Sequence, residues 1–137
     1  MVTITARYEG QLRCSAQHGP SDAALTTDAP VDNHGRGEAF SPTDLVATAF
    51  MTCTMTIMGI VAEREGIALE GMTGRVEKVM VADPKRRIGA LPLTITVPGP
   101  LTADQRTKLE NAARACPVCV SLHPDVDRSI TFEYPDA

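Results

Sequence analysis

At 137 residues, with 43% hydrophobic and 22% charged side chains, the chain has the size and composition of one folded domain rather than a disordered tract. A net charge of −4, 4% aromatics, no tryptophan, and basic residues scattered apart from Lys85-Arg86-Arg87 supply neither a basic stripe nor stacking platforms, so nucleic acid is not an expected partner. The opening MVTITARYEG lacks the basic stretch, apolar run and small-residue cleavage site of a secretory signal, which makes the cytoplasm, with reduced thiols, the expected compartment.

Val2, Ile4, Ala6 and Tyr8 alternate with Thr3, Thr5, Arg7 and Glu9, the period of a half-buried strand. Gly10 marks a turn. Further short strands are expected over 12–16 and 23–27, on either side of the turn-rich QHGPSD. Residues 28–40, DAPVDNHGRGEAF, have loop chemistry, and loops of this length in compact domains often line a site.

Ser41-Pro42-Thr43-Asp44 reads as a helix start: serine caps, proline fits the first helical position, and the acidic residue three after the cap completes a capping box. The 18 residues from Leu45 to Ala62 then carry no charge. That length only just reaches a membrane span, and Thr48, Thr52, Thr54 and Thr56 lower its hydrophobicity, so a buried helix of a soluble protein is expected and no membrane partner. The helix should continue through AERE and stop at Gly66, about 24 residues and roughly 36 Å long. Being apolar on nearly all faces, it belongs in a core or at a subunit interface.

Two β segments follow, near 72–82 and 91–97, joined by DPKRRIG as a hairpin. Thr102-Ala103-Asp104-Gln105 is a second capping box, opening a helix with apolar positions at Leu109, Ala112, Ala113 and Cys116. Pro117 ends or kinks it, and a short helical piece restarts toward Leu122. Ile130, Phe132 and Tyr134 mark a closing strand. With no internal repeat or linker, the layout is a single α+β domain over 1–137.

Four cysteines carry the candidate chemistry. If Pro117 opens a helical turn, Cys116 of Cys116-Pro117-Val118-Cys119 lies at its amino end, where free amide hydrogens and the helix dipole favour a negatively charged sulfur that attacks or resolves. The competing reading makes Cys116 part of the apolar face of the preceding helix. Cys53, on the uncharged helix, has Ala49, Phe50, Thr56 and Ile57 one turn away, so any activating cation must come from elsewhere in the fold or from another subunit. Zinc would need Cys53, Cys116, Cys119 and His123 together, without the second close-spaced pair of the usual signature. A thioredoxin-like site would place its Cys-x-x-Cys near the start of a βαβ unit, and here the motif falls late. His18 and His34 sit in turn-rich loops and read as solvated. No metal or cofactor is expected.

Taken together, FSPTDLVATAFMTCTMTIM at 40–58 and ARACPVCVSLHP at 113–124 resemble the two cysteine motifs of the OsmC/Ohr family, the osmotically inducible and organic hydroperoxide resistance proteins. Element order and the 63 positions between Cys53 and Cys116 fit as well. The resemblance implies an OsmC-like α+β fold of antiparallel β-sheets, a long central apolar helix and a second cysteine-bearing helix, assembled as an intertwined homodimer. It further implies a thiol peroxidase in which Cys53 attacks an organic hydroperoxide and becomes a sulfenic acid. Cys116 condenses with it to a disulfide, and a dithiol such as a lipoyl group restores both thiols. Burial raises a thiol pKa, so Cys53 needs a cation, which the family supplies as an arginine; Arg13 in the N-terminal β region and Arg36 in the loop are the candidates.

The chain departs from the pattern at Thr43, where the hydroperoxide-resistance subgroup carries glutamate; Asp44 matches the broader OsmC-like form. Nine positions put Asp44 and Cys53 on opposite helix faces, which makes Asp44 a capping residue. Cys119 stands where a small hydroxyl residue is usual and offers an alternative disulfide partner, and Cys14 adds a further thiol. The alternatives are the same fold used as a small-molecule binding protein with unreactive cysteines, or a zinc-stabilised module.

Overall fold

Three N-terminal strands form an antiparallel meander in the order β1 (Ile4–Gly10), β2 (Arg13–His18), β3 (Ala24–Asp28). At the β1–β2 hairpin Gly10 pairs with Arg13, and the two residues between them, Gln11 and Leu12, both take left-handed backbones with φ of 53° and 62°. That handedness matches the twist of a two-residue hairpin. Sequence alternation correctly indicates β1, yet its apolar positions are not half-buried: Ile4 and Tyr8 are 66% and 63% exposed. The segment after β3 folds into a short 3₁₀ turn at Val31–Asn33 and is closed by Gly37 N–H donating to the Ala29 carbonyl at 3.2 Å and Asp28 N–H to the Phe40 carbonyl at 3.2 Å. The computed structural model describes residues 1–136, and these elements belong to the first of its two compact units, Met1–Val46; the second is Ala47–Ala137.

Helix α1 runs Pro42–Glu65 and begins as its sequence dictates. Asp44 N–H donates to Ser41 Oγ at 3.0 Å while Asp44 Oδ2 accepts from the Ser41 amide at 2.9 Å, a reciprocal capping box. It ends at Gly66, whose φ of 69° lets Ile67 N–H reach back to the Ala62 carbonyl at 2.8 Å, the Schellman closure that a side chain at this position would strain.

By length and composition alone α1 could cross a membrane. Instead, Ala47, Phe50, Thr54, Met58 and Ala62, spaced three and four apart, form a buried stripe. The stripe shares one core with Leu91, Leu93, Ile95 and Val97. Those residues belong to and flank β7 (Leu93–Thr96), the centre of a sheet ordered β4 (Thr73–Val76), β7, β8 (Ile130–Glu133). At Gly74 on β4 a Cβ would lie 2.9 Å from Met55 Sδ and 3.0 Å from Met51, so glycine lets the helix approach the sheet.

The expected two-strand hairpin is divided more finely. The first segment breaks after Val76, and a further strand forms largely within the stretch expected as the turn, stopping short of Pro92, which has no N–H to donate to a ladder. The pieces β5 (Val79–Val81) and β6 (Arg87–Ala90) pair separately, while β4 pairs with β7, all antiparallel. Strand β8 joins β7 in parallel, Leu93 opposite Ile130 and Thr96 opposite Glu133. A parallel partner requires a crossover, here supplied by α2 (Ala103–Ala113) and α3 (Pro117–Ser121). The capping box of α2 is present as read, with Gln105 N–H donating to Thr102 Oγ1 at 3.1 Å and Thr102 N–H to Gln105 Oε1 at 2.9 Å. Leu109 and Ala113 seat α2 on the core.

The stripe-on-sheet packing yields a direct expectation. Phe50, fully buried at its centre, should cost about 3–5 kcal/mol when replaced by alanine, whereas Thr56→Ala on the exposed face should change stability by less than about 1 kcal/mol. Urea unfolding midpoints at unchanged m-value measure both.

Candidate active site

The sulfur cluster follows from two local rules. Cys53 precedes Thr54 on α1, so it lies at the margin of the buried stripe and is half-buried. Cys116 is the N-cap of α3, with Pro117 at the first helical position. Its Sγ takes the role a serine oxygen usually has and accepts the Cys119 amide at 3.2 Å. Cys116 is fully buried. Thr54 Oγ1, which donates to the Phe50 carbonyl at 2.8 Å, lies 3.8 Å from the same sulfur.

These contacts join α1 to α3. The Cys53 thiol hydrogen-bonds with Cys116 and receives the backbone N–H of Val118. Burial pushes the Cys53 thiol up from its ordinary value, and the two neighbouring cysteines push the same way; the Val118 amide alone among these opposes them. All four cysteines are reduced. Cys116 is thus both a core residue and the N-cap of α3, and it lies beyond the end of α2 rather than on that helix's apolar face.

The second group lies within the N-terminal unit. The β2–β3 register sets Arg13 directly opposite Asp28. Side chains of facing residues meet on one side of the sheet, and here they form a two-pronged pair: Arg13 Nε donates to Asp28 Oδ1 at 2.7 Å and its terminal nitrogen to Oδ2 at 2.8 Å. The Asp28 side chain is fully buried and the Arg13 side chain 27% exposed. The Asp28 carboxylate also accepts the Glu38 amide at 3.2 Å, and Glu38 Oε1 lies 3.7 Å from Arg13. This hydrogen bonding holds the Asp28 carboxyl below, and the Arg13 guanidinium above, their ordinary values. Arg36 is exposed, and its charge acts on the same carboxylate in the same direction as Arg13.

Sequence inspection named Arg13, Arg36, Cys53 and Cys116 but missed Asp28, Glu38 and Thr54. The expected strand pairing offered a signal for Asp28, since Arg13 and Asp28 sit at the two ends where those strands would meet. Asp44 is confirmed as a capping residue. Of the zinc set, His123 is exposed and turned toward its own loop, accepting the Asp125 amide at 3.1 Å. Among the described residues no group of three or more His, Cys, Asp or Glu side chains is disposed to hold a metal ion. Cys14 lies on β2 opposite Tyr8 and Thr27, within the first unit.

Residues 35–131 match the family model described as OsmC-like protein. The chain belongs to the OsmC-like family. A crystal structure from Psychrobacter arcticus, described as an osmotic stress induced and detoxification response protein, is 45% identical to this OsmC-like protein, covers 96% of each chain and superposes with a TM-score of 0.91. An organic hydroperoxide resistance protein of Xanthomonas axonopodis pv. citri is 26% identical over 96% of this chain and 91% of its own. The fold alone is shared with an organic hydroperoxide resistance protein OsmC from Legionella pneumophila, at 19% identity, with 97% and 96% of the two chains covered and a TM-score of 0.74.

The Arg13–Asp28 pair makes stability of this OsmC-like protein depend on acid in a definite sense. A carboxyl whose folded pKa lies below its unfolded value, here 3.8, stabilises the fold above the unfolded value and loses that contribution as pH falls through the folded one. Between about pH 6 and pH 2 the wild-type urea midpoint should therefore fall more steeply than that of Asp28→Asn, and the two curves should converge at the acid end.

Proposed function

We propose that the protein is a thiol peroxidase that reduces organic hydroperoxides to alcohols through Cys53 and Cys116. The observation that carries this reading is the contact between two reduced cysteines 63 positions apart, one at the edge of an apolar helix stripe and one buried at a helix N-cap, in a chain of the OsmC-like family. The names of the hydroperoxide resistance relatives support the substrate class.

In the proposed cycle the Cys53 thiolate attacks the terminal peroxide oxygen, the O–O bond breaks, and the alkoxide leaves as alcohol after taking a proton. Cys53 is now a sulfenic acid. Cys116 sulfur attacks it, water leaves, and the Cys53–Cys116 disulfide forms. A dithiol of lipoyl type then restores both thiols by exchange and is itself oxidised. A reducing compartment such as the cytoplasm suits the cycle.

The attacking thiolate requires a cation, because burial works against it. We assign that role to Arg13 rather than Arg36, since Arg13 is fixed in direction by two hydrogen bonds to a buried carboxylate while Arg36 is exposed. The active form is proposed to be a homodimer. Ile4, Tyr8, Leu25 and Phe40 in the N-terminal unit are exposed apolar side chains that a second copy would bury. A second reading, a binding protein with inert cysteines, draws on the raised Cys53 thiol, which resists ionising in its surroundings.

Reduced protein titrated with cumene hydroperoxide separates the two. The peroxidase should consume peroxide rapidly and give disulfide-linked Cys53 and Cys116 on peptide mapping, and Cys53→Ser should abolish consumption. Thiols that remain reduced under mild excess would leave only the binding reading. Arg13→Lys keeps the charge but not the two-pronged geometry, and should lower the second-order rate at least about tenfold.

A further inference from the structure

Three cysteines, not two, meet at α3. Cys116 has a contact with each of the others: it hydrogen-bonds with Cys53, and its sulfur accepts the Cys119 amide at 3.2 Å. They also differ in access. Cys116 is fully buried, whereas Cys119 is partly exposed and lines a shallow surface groove of about 560 Å³ with Arg114, Val120 and Arg128. Arg128 holds the wall of that groove by donating to the Cys119 carbonyl at 2.6 Å.

An N-cap side chain and the residue three further on are close by construction, which is why N-caps reach the third amide. With sulfur at the cap, that geometry brings the Cys116 and Cys119 side chains within the span of a disulfide. The bond formed in the cycle above therefore has a second thiol three residues from its buried sulfur.

We infer that Cys119 draws the disulfide out of the buried site, converting Cys53–Cys116 into Cys116–Cys119 and presenting it to the reductant at the surface groove. This rests on the peroxidase reading. Cys119 loses its proton to solvent and its thiolate attacks Cys116 Sγ; the Cys116–Cys119 bond forms, the Cys53–Cys116 bond breaks, and the electron pair leaves on Cys53. No net oxidation occurs. Cys53 is free for a second hydroperoxide, and a small dithiol reduces Cys116–Cys119 by two exchange steps at the exposed sulfur, leaving as its own cyclic disulfide.

Stoichiometry in the absence of reductant tests the relay. Wild type, reduced and freed of dithiol, should consume about two equivalents of cumene hydroperoxide per chain, ending with a Cys116–Cys119 disulfide and a Cys53 sulfenic acid trapped by dimedone. Cys119→Ser and Cys119→Ala should each stop at about one equivalent, with Cys53–Cys116 as the disulfide and no dimedone adduct. Their disulfide should also be reduced by dihydrolipoamide at least about tenfold more slowly than that of wild type. About one equivalent in wild type, with only Cys53–Cys116 mapped, overturns the relay and leaves the peroxidase standing. A Cys53–Cys119 disulfide overturns it too, by making Cys119 the direct resolving thiol. No consumption by any of the three proteins overturns the peroxidase reading and the relay with it.

Discussion

Everything at the sulfur site depends on how one helix lies on one strand. The stripe from Ala47 to Ala62 on α1 shares its core with Leu93 and Ile95 of β7, and burial of such side chains contributes about 1.5–3 kcal/mol each. That packing fixes the rotation of α1 about its axis. Thr54 then points into the core and Cys53 lies beside the stripe at its margin. Because α2 seats through Leu109 and Ala113 on the same core, the chain leaving it brings Cys116 against Thr54. The contact between the cysteines is thus a consequence of core packing and needs no local attraction between them.

The electrostatics divide in the opposite sense. In the N-terminal unit a buried carboxylate is compensated by two charge-assisted hydrogen bonds, and its ionised form is favoured. At Cys53 the surroundings are apolar, the nearby groups are further thiols, and the neutral form is favoured. One unit holds a rigid positive group and the other a sulfur that must gain negative charge before it can react. The direction of the Arg13 guanidinium is fixed by its two hydrogen bonds to Asp28.

What the sequence disclosed was governed by range. Both capping boxes were legible because four adjacent residues contain the donors and acceptors, and Gly66 was legible because only glycine takes a left-handed backbone there without strain. Strand positions followed from alternation, but partners did not. Nothing adjacent to Ile130 says that it lies in parallel beside Leu93, and the break at Pro92 shows only once the ladder is drawn. Asp28 escaped notice for the same reason, since its significance is a matter of register with Arg13. Cys53 and Cys116 were singled out through the pairing of two motifs, whereas the hydrogen bond from the Cys119 amide to the Cys116 sulfur shows only in the fold.

The threonines of α1 illustrate how a residue's polarity can be reversed by its helix. Thr52 Oγ1 donates to the Thr48 carbonyl at 2.8 Å and Thr56 Oγ1 to the Thr52 carbonyl at 2.8 Å, so each hydroxyl hydrogen is turned inward on its own backbone. What such a side chain offers outward is chiefly a methyl group. A row that looks hydrophilic on paper is therefore already half dehydrated, and can be laid against a greasy surface with little loss of hydrogen bonding to water. The same row still tolerates water, as the exposed Thr52 and Thr56 show.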